Sequence, residues 1–217
     1  MRRNRGTFFM VTGALLLLIA GGLFYRNIQE EQMAEVYSAQ ALSEIRLVIP
    51  TLDEKSEAMV AAANDPNETA LIAAQTQEAQ DSVSETTQMQ TITVKEESYI
   101  GVIQIPSLNI ELPVNSEWSY PKLKRSPCRY AGSYLDDTLV IAGHSVRAHF
   151  RGLRQIQVGA SVVFTNAVGN VILYEVVSIE TLGSTEVAKL IHNDYDLTLF
   201  TCTPGGISRV VVRCNRV

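Results

Sequence analysis

The feature that most restricts this chain is a run of 20 positions, Gly6 to Tyr25, with no charged residue and the centre Ala14-Leu15-Leu16-Leu17-Leu18-Ile19-Ala20. Twenty helical residues rising 1.5 Å each cover about 30 Å, the hydrocarbon thickness of a bilayer. The run therefore predicts one membrane-spanning helix. Arg2, Arg3 and Arg5 precede it, while 14 acidic and only 4 basic residues lie between Arg26 and Glu97. The positive-inside rule then keeps residues 1–5 in the cytoplasm and puts everything after residue 25 outside the cell. A cleaved signal peptide with Ala39-Gln40-Ala41 as its processing site is the alternative. It fits less well, because the apolar run exceeds the roughly 7–15 residues of a signal core and the site lies too far downstream.

Turn-forming residues divide the rest of the chain. No glycine occurs between Gly22 and Gly101, whereas 9 of the 13 glycines come after Ser98. A chain that must reverse often needs them, so the compact domain is expected at 98–217, about 120 residues and near the usual size of a single-core domain. Residues 26–97 are rich in Ala, Glu and Gln and have one aromatic, Tyr37. They read as an acidic helical or flexible stalk. Ala34, Tyr37, Ala41, Ile45 and Val48 form a narrow apolar stripe of the kind that packs on a partner helix or weakly on the domain, and Pro50 should end that helix. A second Ala/Gln/Glu-rich stretch comes after Asn64-Asp65-Pro66-Asn67, and Ser82 to Thr93 is dominated by Ser, Thr and Gln, as in flexible polar tracts. A solvated stalk of this kind would hold the domain well away from the membrane. The domain itself carries 11 basic and 9 acidic residues, without the clustered Lys and Arg that a nucleic-acid partner requires.

Within 98–217 the apolar pattern has the period of strands. Tyr99–Ile105 and Leu108–Leu112 alternate on either side of Pro106-Ser107, and further strands are expected at 138–142, 161–165, 171–179, 197–201 and 209–214. Short helices are expected at 149–156 and 184–191. Many short strands with few helices predict a mainly β fold, a small closed barrel.

Three cysteines and three histidines are the candidate reactive groups. Cys202 ends the apolar strand Leu197–Thr201 and precedes the turn Thr203-Pro204-Gly205-Gly206, rigid behind and open in front. Cys214 joins the valine face of a strand and reads as core. Cys128 follows Lys124-Arg125-Ser126-Pro127 in a loop-like stretch, and a bond between Cys128 and Cys214 is left open. A nucleophilic cysteine needs a partner that makes the thiolate, and histidine suits that exchange near neutral pH. His144 follows the strand Thr138–Ala142 and Gly143, again at a strand end. His149 and His192 read as surface or helix-end residues. Arg209, across a short turn from Cys202, can lie beside it on an antiparallel strand and stabilise an oxyanion without changing protonation. Arg213, one step further on the same face, reads as a surface charge.

These residues resemble the sortase family. Thr198-Leu199-Phe200-Thr201-Cys202 matches the family's TLxTC motif, and Arg209 stands where its downstream arginine does. Ala142-Gly143-His144-Ser145 is similar to the family's histidine segment, well upstream of the cysteine. The stretch from Ile105 to Val114 resembles the first two barrel strands. The resemblance covers 98–217 and implies an eight-stranded β-barrel that works as a cysteine transpeptidase of Gram-positive cell surfaces. On that likeness Cys202 cleaves an LPxTG-like sorting signal through a thioester, His144 is general acid and base, and Arg209 binds substrate and oxyanion, with Thr201 and Ser145 as substrate contacts. The active thiolate and imidazolium coexist in a minority of molecules in such enzymes. The implied partners are surface proteins bearing a sorting signal and an amine acceptor, a peptidoglycan precursor or a pilin lysine. No cofactor or metal is implied, and Asp136-Asp137 reads as a turn.

A class B or class D-like anchoring enzyme fits better than a pilin polymerase. Asp65-Pro66-Asn67 lacks the aromatic of the pilin enzymes' lid motif, and no second apolar span follows the barrel. Two other classes use the same features: another extracytoplasmic cysteine acyltransferase, such as an L,D-transpeptidase or a papain-like hydrolase, and a membrane-tethered binding module with an inert cysteine. The order His before Cys and the length of chain between them favour the first reading over both.

Overall fold

The computed structural model describes residues 4–49 and 88–217. A single helix, α1 (Asn4–Val48), is followed by β1 (Ile92–Val94), β2 (Glu97–Ile105), β3 (Ile110–Asn115), α2 (Tyr120–Leu123), β4 (Cys128–Ala131) and β5 (Leu139–Ala142). Then come β6 (Ser161–Asn166), β7 (Val171–Gly183), α3 (Val187–Ile191), β8 (Leu197–Cys202) and β9 (Ser208–Arg216), with 3₁₀ turns at Pro106–Leu108 and Phe150–Gln155. The second Ala/Gln/Glu-rich stretch and Asp65-Pro66-Asn67 lie outside the described residues.

Neighbouring strands run β2-β3-β4-β5-β8-β9-β7-β6, and β6 pairs back onto β2, so eight strands close on themselves. Closure removes the free edges that an open sheet would expose. Gly101 makes the seam possible: opposite Asn166 on β6, a Cβ there would lie 2.1 Å from the Thr165 carbonyl oxygen. The interior is filled by alternate residues of each strand, among them Ile103, Leu139, Ile141, Phe164, Tyr174, Leu199, Val212 and Cys214. The sheet extends further than the turn residues suggested. β1 adds to β2 ahead of residue 98, within the tract expected to be flexible, and β4 begins at Cys128, in the stretch read as a loop.

α1 joins two environments. In the apolar run its large side chains, including Phe8, Leu15, Leu16, Leu17, Leu18 and Phe24, are exposed, whereas Ala34, Ala41, Ile45 and Ile49 are buried. The latter half packs on Ile92, Val94, Tyr99, Val102 and Ala167. The stripe keeps Ala34, Ala41 and Ile45, but Ser38 and Ile49 face the barrel in place of Tyr37 and Val48, which are exposed. Tyr37 instead lies under the Arg125 guanidinium, 5.4 Å from ring to Cζ. Residues 28–49 are therefore not a solvated stalk but a helix laid along the barrel, pinned by Glu30–Lys124 at 2.9 Å and Arg46–Glu111 at 2.7 Å.

His149, expected at the surface or at a helix end, stands at the N-terminal end of the 3₁₀ turn Phe150–Gln155 and is completely buried beneath α1. The Ser38 hydroxyl donates to the Arg125 carbonyl at 2.7 Å and so accepts from His149 Nε2 at 3.1 Å. Burial pulls the His149 pKa down from 6.5 to about 4. Between those two pH values the unfolded chain binds a proton that the folded chain refuses, so stability is full above pH 6.5 and declines as pH falls toward 4. The loss amounts to about 3 kcal/mol. Denaturant unfolding at neutral and acid pH should show this decline, and His149→Gln should flatten it; an unchanged slope would mean that another group titrates.

Candidate active site

β5 and β8 run parallel, pairing Leu139 with Leu197, Val140 with Thr198, Ile141 with Leu199 and Ala142 with Phe200. The partners in every pair are separated along the chain by the same interval as His144 and Cys202. The ladder ends on a hydrogen bond from the Gly143 amide to the Phe200 carbonyl at 2.9 Å, and one step later His144 leaves β5 at the height at which Cys202 ends β8. β9 supplies the third group. It runs antiparallel to β8, and Cys202 pairs directly with Arg209. Residues paired across a sheet project to the same face, so thiol and guanidinium share one side. The interval between histidine and cysteine in the sequence is therefore a strand register.

Alternation along β8 separates the two faces. Leu197 and Leu199 enter the barrel core, while Phe200 belongs to an outer cluster with Val140, Ala142 and Val211. Cys202 continues the outer series and is an exposed free thiol. Thr201 alternates with it and is 1% exposed, its Oγ1 buried without a partner among the described residues. Thr201 thus has the parity of the interior series, the opposite of Cys202.

The His144 ring is held from one side. Its Nδ1 accepts the Ser145 amide hydrogen at 3.0 Å, which leaves the ring proton on Nε2, and Nε2 is buried without a partner among the described residues. Burial lowers the His144 pKa; Glu30 of α1 opposes that shift, and Lys124 and Arg151 add to it. Ser145 is itself occupied: its hydroxyl accepts from Arg154 Nη2 at 2.7 Å and its carbonyl from Arg151 Nε at 3.4 Å. That arrangement makes Ser145 a support for the imidazole. Arg209 Nη1, like His144 Nε2, is buried and unpartnered among the described residues. Buried polar atoms are normally satisfied, and here two such atoms are carried at the ends of the strands on either side of β8, which ends in the exposed thiol. An arrangement of this kind can attack a carbonyl, donate to the developing oxyanion and pass a proton to a leaving group.

The remaining candidates are drawn elsewhere. Arg213 is 2% exposed, against the expectation of a surface charge, and is fully engaged by Glu180 at 2.8 Å, the Thr198 hydroxyl at 2.8 Å and the Lys189 carbonyl at 2.6 Å. Cys128 and Cys214 are free and buried, and desolvation pushes each thiol up to about 12. His192 caps α3. Asp137 pairs with Arg216 at 2.8 Å, and no group of three His, Cys, Asp or Glu side chains converges among the described residues.

Beside the thiol stands an aromatic wall that strand periodicity did not reveal. Trp118 meets Tyr130 edge-on at 5.8 Å, and Tyr130 meets Phe200 edge-on at 5.1 Å, two residues before Cys202. Trp118 is the sole tryptophan of a chain with only 7% aromatic residues, which was the available signal. Glu30 was equally hidden, because nothing local to an acidic helix says that it will lie near His144.

The family model described as Sortase domain matches residues 103–217. Among solved structures, the chain resembles sortase C1 from Streptococcus agalactiae, at 25% identity and a TM-score of 0.51, over 70% of this chain and 91% of that one. Sortase C-3 from Streptococcus pneumoniae gives 23% identity and a TM-score of 0.51 over 77% and 88% of the two chains. Sortase A from Listeria monocytogenes gives 21% and 0.50 over 55% and 87%. The last two likenesses concern the fold alone. No curated protein sequence matches the chain.

Gly143 links this geometry to a measurement. A Cβ at that position would lie 2.2 Å from the Phe150 ring, itself completely buried. Gly143→Ala must displace either the ring or the strand end that carries His144. We expect a stability loss of about 1–3 kcal/mol and a drop in turnover larger than that loss explains. Unfolding curves and peptide cleavage rates measured on the same preparation separate the two effects.

Proposed function

Because the chain belongs to the sortase family of cysteine transpeptidases, we propose that it is anchored by residues 6–25 with its N-terminus in the cytoplasm and joins LPxTG-like sorting signals to a cell-wall amine. Cys202, as the thiolate, attacks the carbonyl carbon of the scissile peptide bond. Arg209 donates to the oxyanion of the tetrahedral adduct. As the adduct collapses, the C–N bond breaks, His144 gives its proton to the departing amine, and a thioester to Cys202 remains. An acceptor amine then adds to the thioester and yields its proton to His144. The new amide forms, and the thiolate leaves.

One observation carries this reading: Cys202 ends β8, His144 follows the end of β5 and Arg209 lies at the start of β9, three adjacent strands at one rim of the barrel, with His144 Nε2 and Arg209 Nη1 unpartnered among the described residues. The lowered pKa of His144 gives the reading a pH consequence. The imidazolium needed to protonate the leaving amine becomes scarcer as pH rises, so acylation should fall on the alkaline side of a pH optimum. The outer cluster of Ala142 and Phe200, continued by Tyr130, offers an apolar floor for the leucine and proline of the signal. Thr201 contributes at most its main chain.

Mass spectrometry of the protein incubated with an LPxTG peptide should find a Cys202 adduct that disappears when a glycine-terminated amine is added. Cys202→Ala should abolish the adduct while the barrel remains folded. Arg209→Lys, which keeps the charge but loses the planar fork, should slow turnover about 10²–10³-fold. Adduct formation by the Cys202→Ala protein would overturn the assignment. Comparing glycine-terminated with lysine-bearing acceptors identifies the amine.

A further inference from the structure

α1 is one uninterrupted helix from Asn4 to Val48, so the apolar run and the barrel-bound half share a single axis. Their spacing can be read as a height. Glu30 lies five residues and Glu31 six residues beyond Tyr25, about 7 to 9 Å along the axis at 1.5 Å per residue. A headgroup layer is roughly 5–8 Å deep on each side of the hydrocarbon. Whatever these two carboxylates touch therefore lies in or beside that layer. Glu30 binds Lys124 Nζ at 2.9 Å, and Glu31 binds Arg151 Nη2. The Lys124 ammonium also stands 5.3 Å from the centre of the Tyr120 ring, and Tyr120 is 59% exposed. Arg147 is exposed and has no hydrogen-bond or ion-pair partner among the described residues. It lines, with Arg151, Ile28 and Glu31, a cleft of about 1040 Å³ between α1 and the 3₁₀ turn Phe150–Gln155.

We infer that this rim of the barrel, Tyr120, Lys124, Arg147 and Arg151, rests on the headgroups of an anionic bilayer, with the mouth of the Cys202 site at membrane level. The inference builds on the membrane anchor proposed above. The chemistry is that of an interface: an exposed phenol ring beside cations is the combination favoured where apolar chains meet water and phosphate, and basic side chains near an anionic leaflet are attracted within a Debye length. Glu30 and Glu31 each face one of the cations, so Arg147 is the charge left for phosphate. The active site shares this level because Arg151, bound to Glu31, also donates through Nε at 3.4 Å to the carbonyl of Ser145, the residue after His144. The opposite end of the barrel is far off: Ile45, twenty residues beyond Tyr25 and so about 30 Å along the axis, packs in one cluster with Ala167, whose neighbour Val168 is 51% exposed.

The test places one fluorophore at each end of the barrel. The full chain carries a single tryptophan. The pair Trp118→Phe with Tyr120→Trp moves it to the rim, and Trp118→Phe with Val168→Trp moves it to the far end. Each chain is reconstituted in nanodiscs of phosphatidylcholine and phosphatidylglycerol, part of the lipid bearing a headgroup nitroxide. Expected is a loss of at least half the emission from the rim position and almost none from the far end, with rim quenching reduced by Arg147→Glu or by omitting phosphatidylglycerol. No quenching at the rim, or equal quenching at both ends, overturns the proposal. Hydrogen exchange on the unmodified chain gives a reading without substitution: amides of 120–126 and 147–152 should be slower in anionic than in neutral discs, and identical rates overturn it. A chain that fails to enter the discs defeats the anchor reading as well, whereas one that enters with an unquenched rim defeats this inference alone.

Discussion

The parallel pairing of β5 with β8 holds two strand ends, distant in the chain, side by side at one level on the barrel. A parallel pair cannot be closed by a tight turn, and the intervening chain must leave and return by a long crossover. Here the crossover contains two further strands, β6 and β7, and α3; the two strands belong to the barrel wall. Closing the barrel and bringing the end of β5 beside the end of β8 are thus one structural event. Arg209 needs less, because an antiparallel partner across a short loop fixes its place opposite Cys202.

Around this junction, buried groups divide into satisfied and unsatisfied ones. Arg213 lies on the same strand and face as Arg209 but is held by Glu180, Thr198 and Lys189. Arg209 Nη1 has no such partner among the described residues. The cysteines divide likewise: burial drives Cys128 and Cys214 toward the inert thiol, and Cys202 alone of the three is exposed. Side chains of one type, a few residues apart, acquire different chemistry from what surrounds them.

α1 extends that environment beyond the barrel. Its second half is part of the domain's packing and covers His149, so the helix that carries the apolar run also shapes the surroundings of His144 through Glu30. With Ser38, Ala41 and Ile45 seated on the barrel, the domain lies alongside its own helix instead of beyond the end of a flexible stalk.

Seven of the barrel's eight strands were legible because each carries either a period-two pattern, as at Tyr99–Ile105, or a short apolar run beside turn residues, as at Leu139–Ala142. β4, Cys128 to Ala131, was not legible because Arg129 breaks its apolar run directly after Pro127, whereas the equally short β5 is apolar throughout. His144, Cys202 and Arg209 could be singled out because each ends or begins a strand, a position that the chain itself marks with turn residues. What sequence could not supply was burial by distant segments. That His149 and Arg213 are interior, that Ser38 and not Tyr37 faces the barrel, and that Glu30 lies near His144 all depend on how distant elements pack against a closed sheet. The chain's own order thus determined a membrane-length apolar helix, a β domain and three reactive groups at strand ends, since local periodicity and turn chemistry encode them. Only the tertiary structure decided which polar groups are satisfied and which wait unpartnered, because that depends on contacts between residues far apart in the chain.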